Sequence, residues 1–354
     1  MPDIVTYKCP ACGAPLEFNA GTQSWKCEYC ASEFNEQQLQ QAEPIEPEQA
    51  APYDVREEEP ENEEFNQNAR AYSCPSCGAQ IVTDDTTAAT FCMFCHNPTI
   101  LADRLSGSFK PTQLIPFRVQ KEQAVESFLK WSKKPLVPKD FRSKAQLEKI
   151  TGMYIPFWLF DCAVDQTLNA KATRVRSWRS GNTQYTETSH FAISREAEME
   201  FVGVPADGSS KLDDQLMDLL EPYDYKDIKD FSMSYLSGYF AEKYDQDHNQ
   251  VFPRIRNRVD QYGERRLRDT INGYSTVTVT NRSTQYQKAD ARYTLLPLFL
   301  LTYKYKNKDF LFAMNGQTGK VVGKLPLCIP KALAWFGSIA AAVFVILLIG
   351  GMFL

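Results

Sequence analysis

The sequence predicts an α+β protein, and three observations lead to this class. Two four-cysteine clusters of identical spacing lie near the N-terminus. Over residues 104–330, segments with strand-like alternation are interspersed with segments of helical periodicity. The last 23 residues, 332–354, form an apolar run without a charged side chain. These features divide the chain into five segments: 1–35, 36–70, 71–103, 104–330 and 331–354.

The two clusters share the spacing Cys-x2-Cys-x14-Cys-x2-Cys, and the second repeats the first after 65 positions. Four thiolates on two short turns are the ligand set of a structural zinc ion. We therefore predict two zinc ribbons, at 1–35 and 71–103, each with one Zn²⁺. The predicted ligands are Cys9, Cys12, Cys27 and Cys30 in the first ribbon and Cys74, Cys77, Cys92 and Cys95 in the second. Four neighbouring residues also recur, with Tyr7, Pro10, Gly13 and Ala14 repeated as Tyr72, Pro75, Gly78 and Ala79.

Glycine follows the second cysteine of each cluster, where a backbone without Cβ can turn tightly around a metal. These residues are Gly13 and Gly78, whereas the second turns carry Ala31 and His96 at the corresponding place. The geometry of the second turns is therefore harder to predict.

Two other interpretations of the cysteines are weaker. The string from Cys92 to His96 matches a Cys-x-x-Cys-His haem-attachment motif, but it forms half of a zinc-type quartet. Disulfides need an oxidising compartment, and the N-terminal residues have neither the basic nor the apolar region of a signal peptide.

The segment 36–70 contains 11 acidic residues and few large apolar side chains. Such a composition cannot bury enough apolar surface to fold, so we expect an acidic disordered linker. A flexible linker would leave the first ribbon free to search for a partner.

Charge is divided unevenly along the chain, and this bears on nucleic-acid binding. Residues 1–103 carry 4 Lys and Arg against 18 Asp and Glu, whereas residues 104–354 carry 35 against 26. Because affinity for nucleic acid depends mainly on Lys and Arg, acidic ribbons are poor candidates for binding it. Two groups of arginines in the basic part would form a basic strip if they lay on one helix: Arg254, Arg256 and Arg258, and Arg265, Arg266 and Arg268.

Residues 104–330 predict a larger domain of mixed strands and helices. Helices are expected at 121–131, 211–220, 232–245 and 249–270, and a hairpin turn at 180–182. The string Gly316 to Lys320 lacks the full phosphate-loop pattern and lies between strands, which favours a hairpin turn. The three histidines, at 96, 190 and 248, form no recognisable nucleophile–base pattern, so we expect no catalytic site and no enzyme activity.

The C-terminal run predicts a transmembrane helix over 331–354. Its length at about 1.5 Å per residue matches the roughly 30 Å hydrocarbon core of a bilayer. Lys320, Lys324 and Lys331 precede the run and no charge follows it. Positive flanks stay in the cytoplasm, so we expect a single-pass protein of the cell membrane, with its bulk cytoplasmic.

Several longer motifs resemble a known family. They are residues 154–161 (Tyr-Ile-Pro-Phe-Trp-Leu-Phe-Asp), 222–225 (Pro-Tyr-Asp-Tyr), 235–244 (Tyr-Leu-Ser-Gly-Tyr-Phe-Ala-Glu-Lys-Tyr), Leu296-Pro297, and 315–320 (Asn-Gly-Gln-Thr-Gly-Lys). With the ribbons, which look like the transcription-factor-IIB type, they resemble bacterial membrane-anchored double zinc-ribbon proteins. Members are often labelled as related to the primosomal helicase, an activity that this chain lacks the motifs to support. Some relatives are linked to phage-shock systems and SPFH-domain proteins, so the resemblance implies such protein partners and a role in membrane stress.

These observations favour a tail-anchored adaptor whose zinc ribbons recruit protein partners at the membrane. The alternative is a membrane-tethered nucleic-acid-binding protein related to replication or transcription, which the basic part of the chain keeps open.

Overall fold

A computed structural model of the chain describes residues 4–5, 7–40, 70–73, 80–83, 86–91, 98–101, 105, 109–138, 141, 150–305 and 308–351. Its strands are β1 Ile4–Val5, β2 Leu16–Asn19, β3 Ser24–Cys27, β4 Glu33–Phe34, β5 Arg70–Ser73, β6 Gln80–Thr83, β7 Thr87–Phe91, β8 Pro98–Leu101, β9 Gln113–Leu114, β10 Thr151–Ser180, β11 Thr183–Asp207, β12 Lys229–Asp230, β13 Phe240–Glu242, β14 Thr276–Tyr305, β15 Lys308–Asn315 and β16 Val321–Gly323. Its α-helices are α1 Glu36–Gln40, α2 Lys121–Ser132, α3 Asp214–Leu220, α4 His248–Asp269 and α5 Ile329–Gly351.

The predicted α+β class is wrong, because the structure is mostly β-sheet, with 45% strand and 28% helix among the described residues. Three strands of 25 to 30 residues, β10, β11 and β14, account for much of this excess. In addition, the helix expected over 232–245 does not form. Gly238 has φ +89°, a left-handed conformation that ends a helix, and the strand β13 follows it.

One 11-stranded sheet organises the described chain, with the main order β1-β8-β7-β13-β10-β14-β15-β16. β11 pairs with β10 on the same side as β13 but farther along the strand, and β9 pairs with β14 and β12. Most neighbours are antiparallel, and β13 joins β10 in parallel. Two of the strands in the second ribbon segment, β7 and β8, belong to this sheet, since Ala89 pairs with Ala241 and Leu101 with Ile4, whereas β5 and β6 pair with each other in a separate sheet. The sheet therefore ties the N-terminal part of the chain to the large domain.

The burial of side chains in β10 changes along the strand. Tyr154 to Phe160 are all buried, as in a strand covered on both faces. From Ala163 onward burial alternates, so that the outer part of the strand is covered on one face only. We call this outer three-stranded part, residues 163–180, 183–200 and 276–288, the arm.

The helix α4 covers one face of the arm. It was expected over 249–270 and is found at His248–Asp269, with Val251, Ile255, Val259, Gly263 and Leu267 buried at intervals of four residues. Arg254 and Arg258 turn toward carboxylates of α3 and its neighbours, so the predicted basic strip is split between an inward and an outward face.

The first ribbon lies against the large domain, in contrast to the mobile ribbon expected from the sequence. Of the predicted linker 36–70, Glu36–Gln40 forms helix α1, and residues 41–69 lie outside the described residues. Contacts from the segment that leads into β13 hold the ribbon, and Gln23 Nε2 also donates to the carbonyl of Phe117 at 2.6 Å.

The transmembrane prediction over 331–354 is also wrong. Helix α5 begins at Ile329, before the apolar run, and takes Pro330 and Lys331 into its first turn. In the part of the chain that the structure describes, no helix has the length and apolar character needed to cross a bilayer. The predictions of a membrane partner and of a single-pass cell-membrane location depended on this helix, so they are wrong as well.

Candidate metal centre

The first ribbon is a three-stranded antiparallel sheet in which two turns carry the cysteines. Strand β3 pairs with β2 on one side and β4 on the other. Cys9 and Cys27 are buried, whereas Cys12 and Cys30 are exposed. The four residues predicted from spacing alone are thus brought to one end of the small sheet.

The two turns have the same backbone geometry although only one contains glycine. In the first turn the N–H of Gly13 donates to the carbonyl of Cys9 at 2.8 Å, and Gly13 has φ +75°. In the second turn the N–H of Ala31 donates to the carbonyl of Cys27 at 2.9 Å, and Ala31 has φ +56°. Because an L-residue rarely adopts this conformation, the second turn keeps the shape of the first at a steric cost.

The sulfur positions fit a tetrahedral metal site. Cys9 Sγ lies 3.5 Å from Cys30 Sγ, and Cys12 Sγ lies 3.4 Å from Cys27 Sγ. All four sulfurs lie within 4.8 Å of one another. A metal bound at about 2.3 Å from each sulfur places the sulfurs about 3.8 Å apart, whereas a disulfide needs about 2.05 Å. The four cysteines can therefore hold a metal ion.

Hydrogen bonds shift the pKa values of the two exposed thiols, Cys12 and Cys30. The Ser32 hydroxyl lies 3.2 Å from Cys30 Sγ, and its hydrogen bond lowers the pKa of Cys30 to about 6. A hydrogen bond from the Ala14 backbone lowers the pKa of Cys12, but hydrogen bonds with Cys27 and Cys30 outweigh it and raise that pKa to about 12. A bound cation would favour the thiolate form of all four cysteines.

An aromatic cluster holds the ribbon to the large domain. Phe18, Trp25 and Tyr235 lie with ring centroids 5.0–5.1 Å apart, and all three are buried. The indole Nε1 of Trp25 donates to the carbonyl of Ser234 at 2.7 Å, and the N–H of Phe18 donates to the carbonyl of Ser237 at 3.1 Å. We call Phe18, Trp25, Ser234, Tyr235 and Ser237 the latch.

The Tyr235 hydroxyl, which is part of the latch, both donates and accepts a hydrogen bond. The Tyr235 hydroxyl donates to Glu36 Oε2 at 2.9 Å and accepts from Lys229 Nζ at 3.0 Å. Burial and the neighbouring Glu36 carboxylate raise the pKa of Tyr235. The hydroxyl therefore stays protonated, and it links helix α1 to the large domain.

Sequence reasoning missed the latch, although one signal was present. At the positions 65 residues after Phe18 and Trp25, the second repeat has Thr83 and Thr90. A large aromatic side chain found in only one of two repeats indicates a contact made by that repeat alone. The first ribbon uses these two residues to bind its own large domain.

The cysteines of the second cluster, Cys74, Cys77, Cys92 and Cys95, lie outside the described residues, as does His96. The strand pairs beside them are described, and they repeat the pairs of the first ribbon. Lys8 pairs with Pro15 around the first turn, and Ser73 pairs with Gln80 after the same 65 residues. Lys26 pairs with Glu33 around the second turn, and Phe91 pairs with Pro98 in the same way.

Three of the motifs that carry the family resemblance, 222–225, Leu296-Pro297 and 315–320, meet around one turn of the large domain. The Asn315 side chain donates to the carbonyl of Leu220 at 3.1 Å, and the Tyr223 hydroxyl donates to that of Pro297 at 3.2 Å. Gln317 exchanges two 2.8 Å hydrogen bonds with the Asp224 backbone. The turn at 316–320 joins β15 to β16, which confirms the predicted hairpin and gives these motifs a structural role.

Comparison with known proteins identifies one full-length relative. The chain is 39% identical to the uncharacterized protein YdjG of Bacillus subtilis (strain 168) over 356 residues, covering 99% of this chain and 100% of that protein. No protein-family model matches the chain, and no solved structure is similar to it. The similarity extends over the large domain as well as the ribbons.

Proposed function

The chain belongs to the family of the Bacillus subtilis protein YdjG, and from this premise we propose that it is a zinc-dependent protein-binding scaffold with two structural zinc ribbons. The observation that carries the proposal is the cluster of Cys9, Cys12, Cys27 and Cys30, whose sulfurs are spaced for a tetrahedral ion. Four thiolates in a closed tetrahedral site favour Zn²⁺ over harder cations.

The second zinc site is supported by the strands on either side of it. Two residue pairs of the first ribbon, Lys8 with Pro15 and Lys26 with Glu33, recur 65 residues later beside the second set of cysteines. Because these pairs set the ends of the two cysteine turns in the first ribbon, their recurrence supports the same ligand arrangement in the second.

A role in protein binding is supported by how the first ribbon is oriented. The latch occupies one side of the ribbon, while the cysteine turns point outward with Tyr29 82% exposed between Cys27 and Cys30. The surrounding part of the chain is acidic, which disfavours phosphates, and zinc with four thiolates adds about −2. An exposed aromatic side chain on a rigid, metal-bound turn suits contact with a protein surface.

Metal content tests the zinc sites directly. The purified full-length chain is expected to contain about two equivalents of Zn²⁺ by elemental analysis. Cys9→Ser should remove one equivalent and Cys74→Ser the other, while Cys328→Ser, outside both clusters, should keep both. A chain with one equivalent that Cys74→Ser leaves unchanged would exclude the second site.

Partner binding is tested separately by photo-crosslinking in the native host. A photoreactive residue at position 29 is expected to form a defined protein adduct that disappears in the Cys9→Ser background. The control is the same residue at Leu219, which is 57% exposed on α3. Adducts of the same size from both positions, or none from position 29, would contradict a partner surface on this ribbon even if both zinc sites are confirmed.

A further inference from the structure

The arm extends beyond the end of helix α4, and one of its faces is uncovered there. Under the helix this face carries the buried residues Leu168, Ala170 and Ala172, packed with Leu267 and Ile271. The strand continues past them to the turn at Gly181, which has φ +59° as the predicted hairpin turn requires. The continuation of the covered face is therefore exposed.

The uncovered face carries arginines and aromatic rings instead of aliphatic side chains. Strand alternation places Arg174, Arg176 and Trp178 on it, and Tyr185 lies directly opposite Trp178 in the strand register. We call these four residues the tip surface. The rings of Trp178 and Tyr185 stack with centroids 5.6 Å apart and planes 13° apart. Close to half of each residue is exposed, at 44% and 46%.

The guanidinium groups of the tip surface lie over rings and not beside carboxylates. Arg176 Cζ is 5.7 Å from the centre of the Trp178 ring, and Arg174 Cζ is 5.4 Å from the centre of the Tyr274 ring. Glu187 is opposite Arg176 in the register. Among the described residues, however, no carboxylate lies within 4.0 Å of either arginine. Their charges are therefore available to an external anion.

Two other arginines, both on β14, form ion pairs. Arg282 reaches Glu264 on α4, and Arg292 lies 2.9 Å from Asp161. Arg174 and Arg176 form no ion pair among the described residues, although Arg174 Nε donates to the carbonyl of Gly273 at 3.1 Å. Together with a stacked, half-exposed aromatic pair, their guanidinium groups form a different kind of surface.

We propose that the tip surface binds single-stranded nucleic acid. Bases stack on the exposed rings of Trp178 and Tyr185, while the arginines neutralise the phosphates that connect them. An acidic peptide would use the arginines, but its carboxylates do not stack on aromatic rings as bases do, so the combination favours nucleic acid. This activity lies in the basic part of the chain, apart from the acidic zinc ribbons, and goes beyond their scaffold role.

The test measures fluorescence anisotropy of a labelled oligothymidine of about 20 nucleotides, and of an oligouridine of the same length, with the full-length chain at low salt. Binding is expected, with an affinity that falls as salt rises. Trp178→Ala should weaken it by about tenfold, as expected for the loss of base stacking. Replacing Arg174 and Arg176 by Gln should lower the slope of log affinity against log salt by about 1.4, or 0.7 for each lost phosphate contact.

The matched control removes the same charge elsewhere, at the exposed residues Lys133 and Lys134 that follow α2. The Lys133→Gln/Lys134→Gln protein should bind with unchanged affinity, and all variants should keep the thermal unfolding midpoint of the parent. Absence of binding at low salt would overturn the proposal, as would equal losses in the control. Polyglutamate binding at the tip in place of the oligonucleotides would also overturn it and assign the surface to an acidic protein.

Discussion

The indole nitrogen of Trp25 donates a hydrogen bond to the carbonyl oxygen of Ser234, 2.7 Å away and 209 residues later in the chain. Trp25 is wholly buried and lies two residues before Cys27 of the candidate metal centre. The metal centre and the large domain are therefore connected through one short strand. Loss of the metal and loss of the ribbon–domain contact should be coupled.

Trp25→Phe tests the latch. Phenylalanine retains an aromatic ring but removes the indole donor, so the Ser234 carbonyl keeps only the N–H of Ser237 at 3.2 Å, and phenylalanine fills less of the site. We expect the free energy of unfolding to fall by about 2 kcal/mol or more, measured by urea denaturation. Hydrogen exchange should also become faster in β2 and β3 than in β10.

Trp178→Phe is the matched control, because the same substitution is made at a half-exposed ring that donates no hydrogen bond among the described residues. We expect a change within about 0.5 kcal/mol. Equal effects at the two positions would mean that the latch hydrogen bond contributes nothing specific.

Much of the metal centre could be predicted from sequence because its information is local. The cysteine spacing and the recurrence after 65 positions suffice to choose Cys9, Cys12, Cys27 and Cys30, which the structure brings together. Helix α4 was predictable for a similar reason, since its buried residues recur every four positions.

The position of the ribbon and the order of the sheet depend on contacts between distant residues, and no local pattern encodes them. Strand β13 is three residues long and was predicted to be helical, yet it joins β7 to β10 in the sheet. Its apolar and aromatic residues fit a helix or a short buried strand equally well by periodicity. The C-terminal run shows a similar limit, because apolar composition does not specify where the helix begins.

The two cysteine turns offer a comparison at equivalent positions. Gly13→Ala places a side chain at φ +75°, where a Cβ would touch nothing within 4 Å, so only backbone strain changes. We expect a cost of about 1–2 kcal/mol, which lowers zinc affinity roughly 5- to 30-fold in a chelator competition. Ala31→Gly should shift affinity in the opposite direction and by less, because glycine adds entropy to the unfolded chain.

The control for these turns is Gly181→Ala, at φ +59° in the arm hairpin and also without a neighbour within 4 Å of the added Cβ. It imposes a similar backbone cost away from the metal, so zinc affinity should not change. A loss of affinity there as large as that of Gly13→Ala would show that the effect is not local to the cysteine turn.

Gly263 sets the distance between helix α4 and the arm. A Cβ added at this position would lie 1.7 Å from Gln166 Oε1. Gln166 is buried and donates to Thr284 Oγ1 at 3.1 Å, so it cannot move without losing that bond. We expect Gly263→Ala to lower the free energy of unfolding by about 1–2 kcal/mol, although alanine favours a helix interior by about 1 kcal/mol.

The double variant Gly263→Ala/Gln166→Ala separates the clash with Gln166 from the helix preference of alanine. Without the Gln166 side chain the clash disappears, so adding Gly263→Ala to Gln166→Ala should be neutral or stabilising in urea denaturation. The cycle should therefore give a coupling energy of about 1–3 kcal/mol. Additive effects would mean that the helix moves away from the arm at little cost.

Arg254 neutralises a buried carboxylate, and removing it should make stability depend on pH. Asp207 is fully buried and accepts from Arg254 at 2.7 Å, and Asp214 and Asp218 contact the same guanidinium. Burial raises the pKa of Asp207, and the bond from Arg254 lowers it. In Arg254→Met the pKa should rise further. A carboxyl group with a raised pKa contributes stability that is fully present below its unfolded pKa of about 4 and is lost as pH rises through the folded value.

We therefore expect Arg254→Met to cost about 3–5 kcal/mol at pH 7 and distinctly less at pH 5, measured by urea denaturation at each pH. Adding Asp207→Asn should flatten this difference, because an amide does not titrate. Arg265→Met, on the outward face of the same helix, should show a small effect of equal size at both pH values. A cost for Arg254→Met that does not change between pH 5 and pH 7 would show that Asp207 remains charged without its partner.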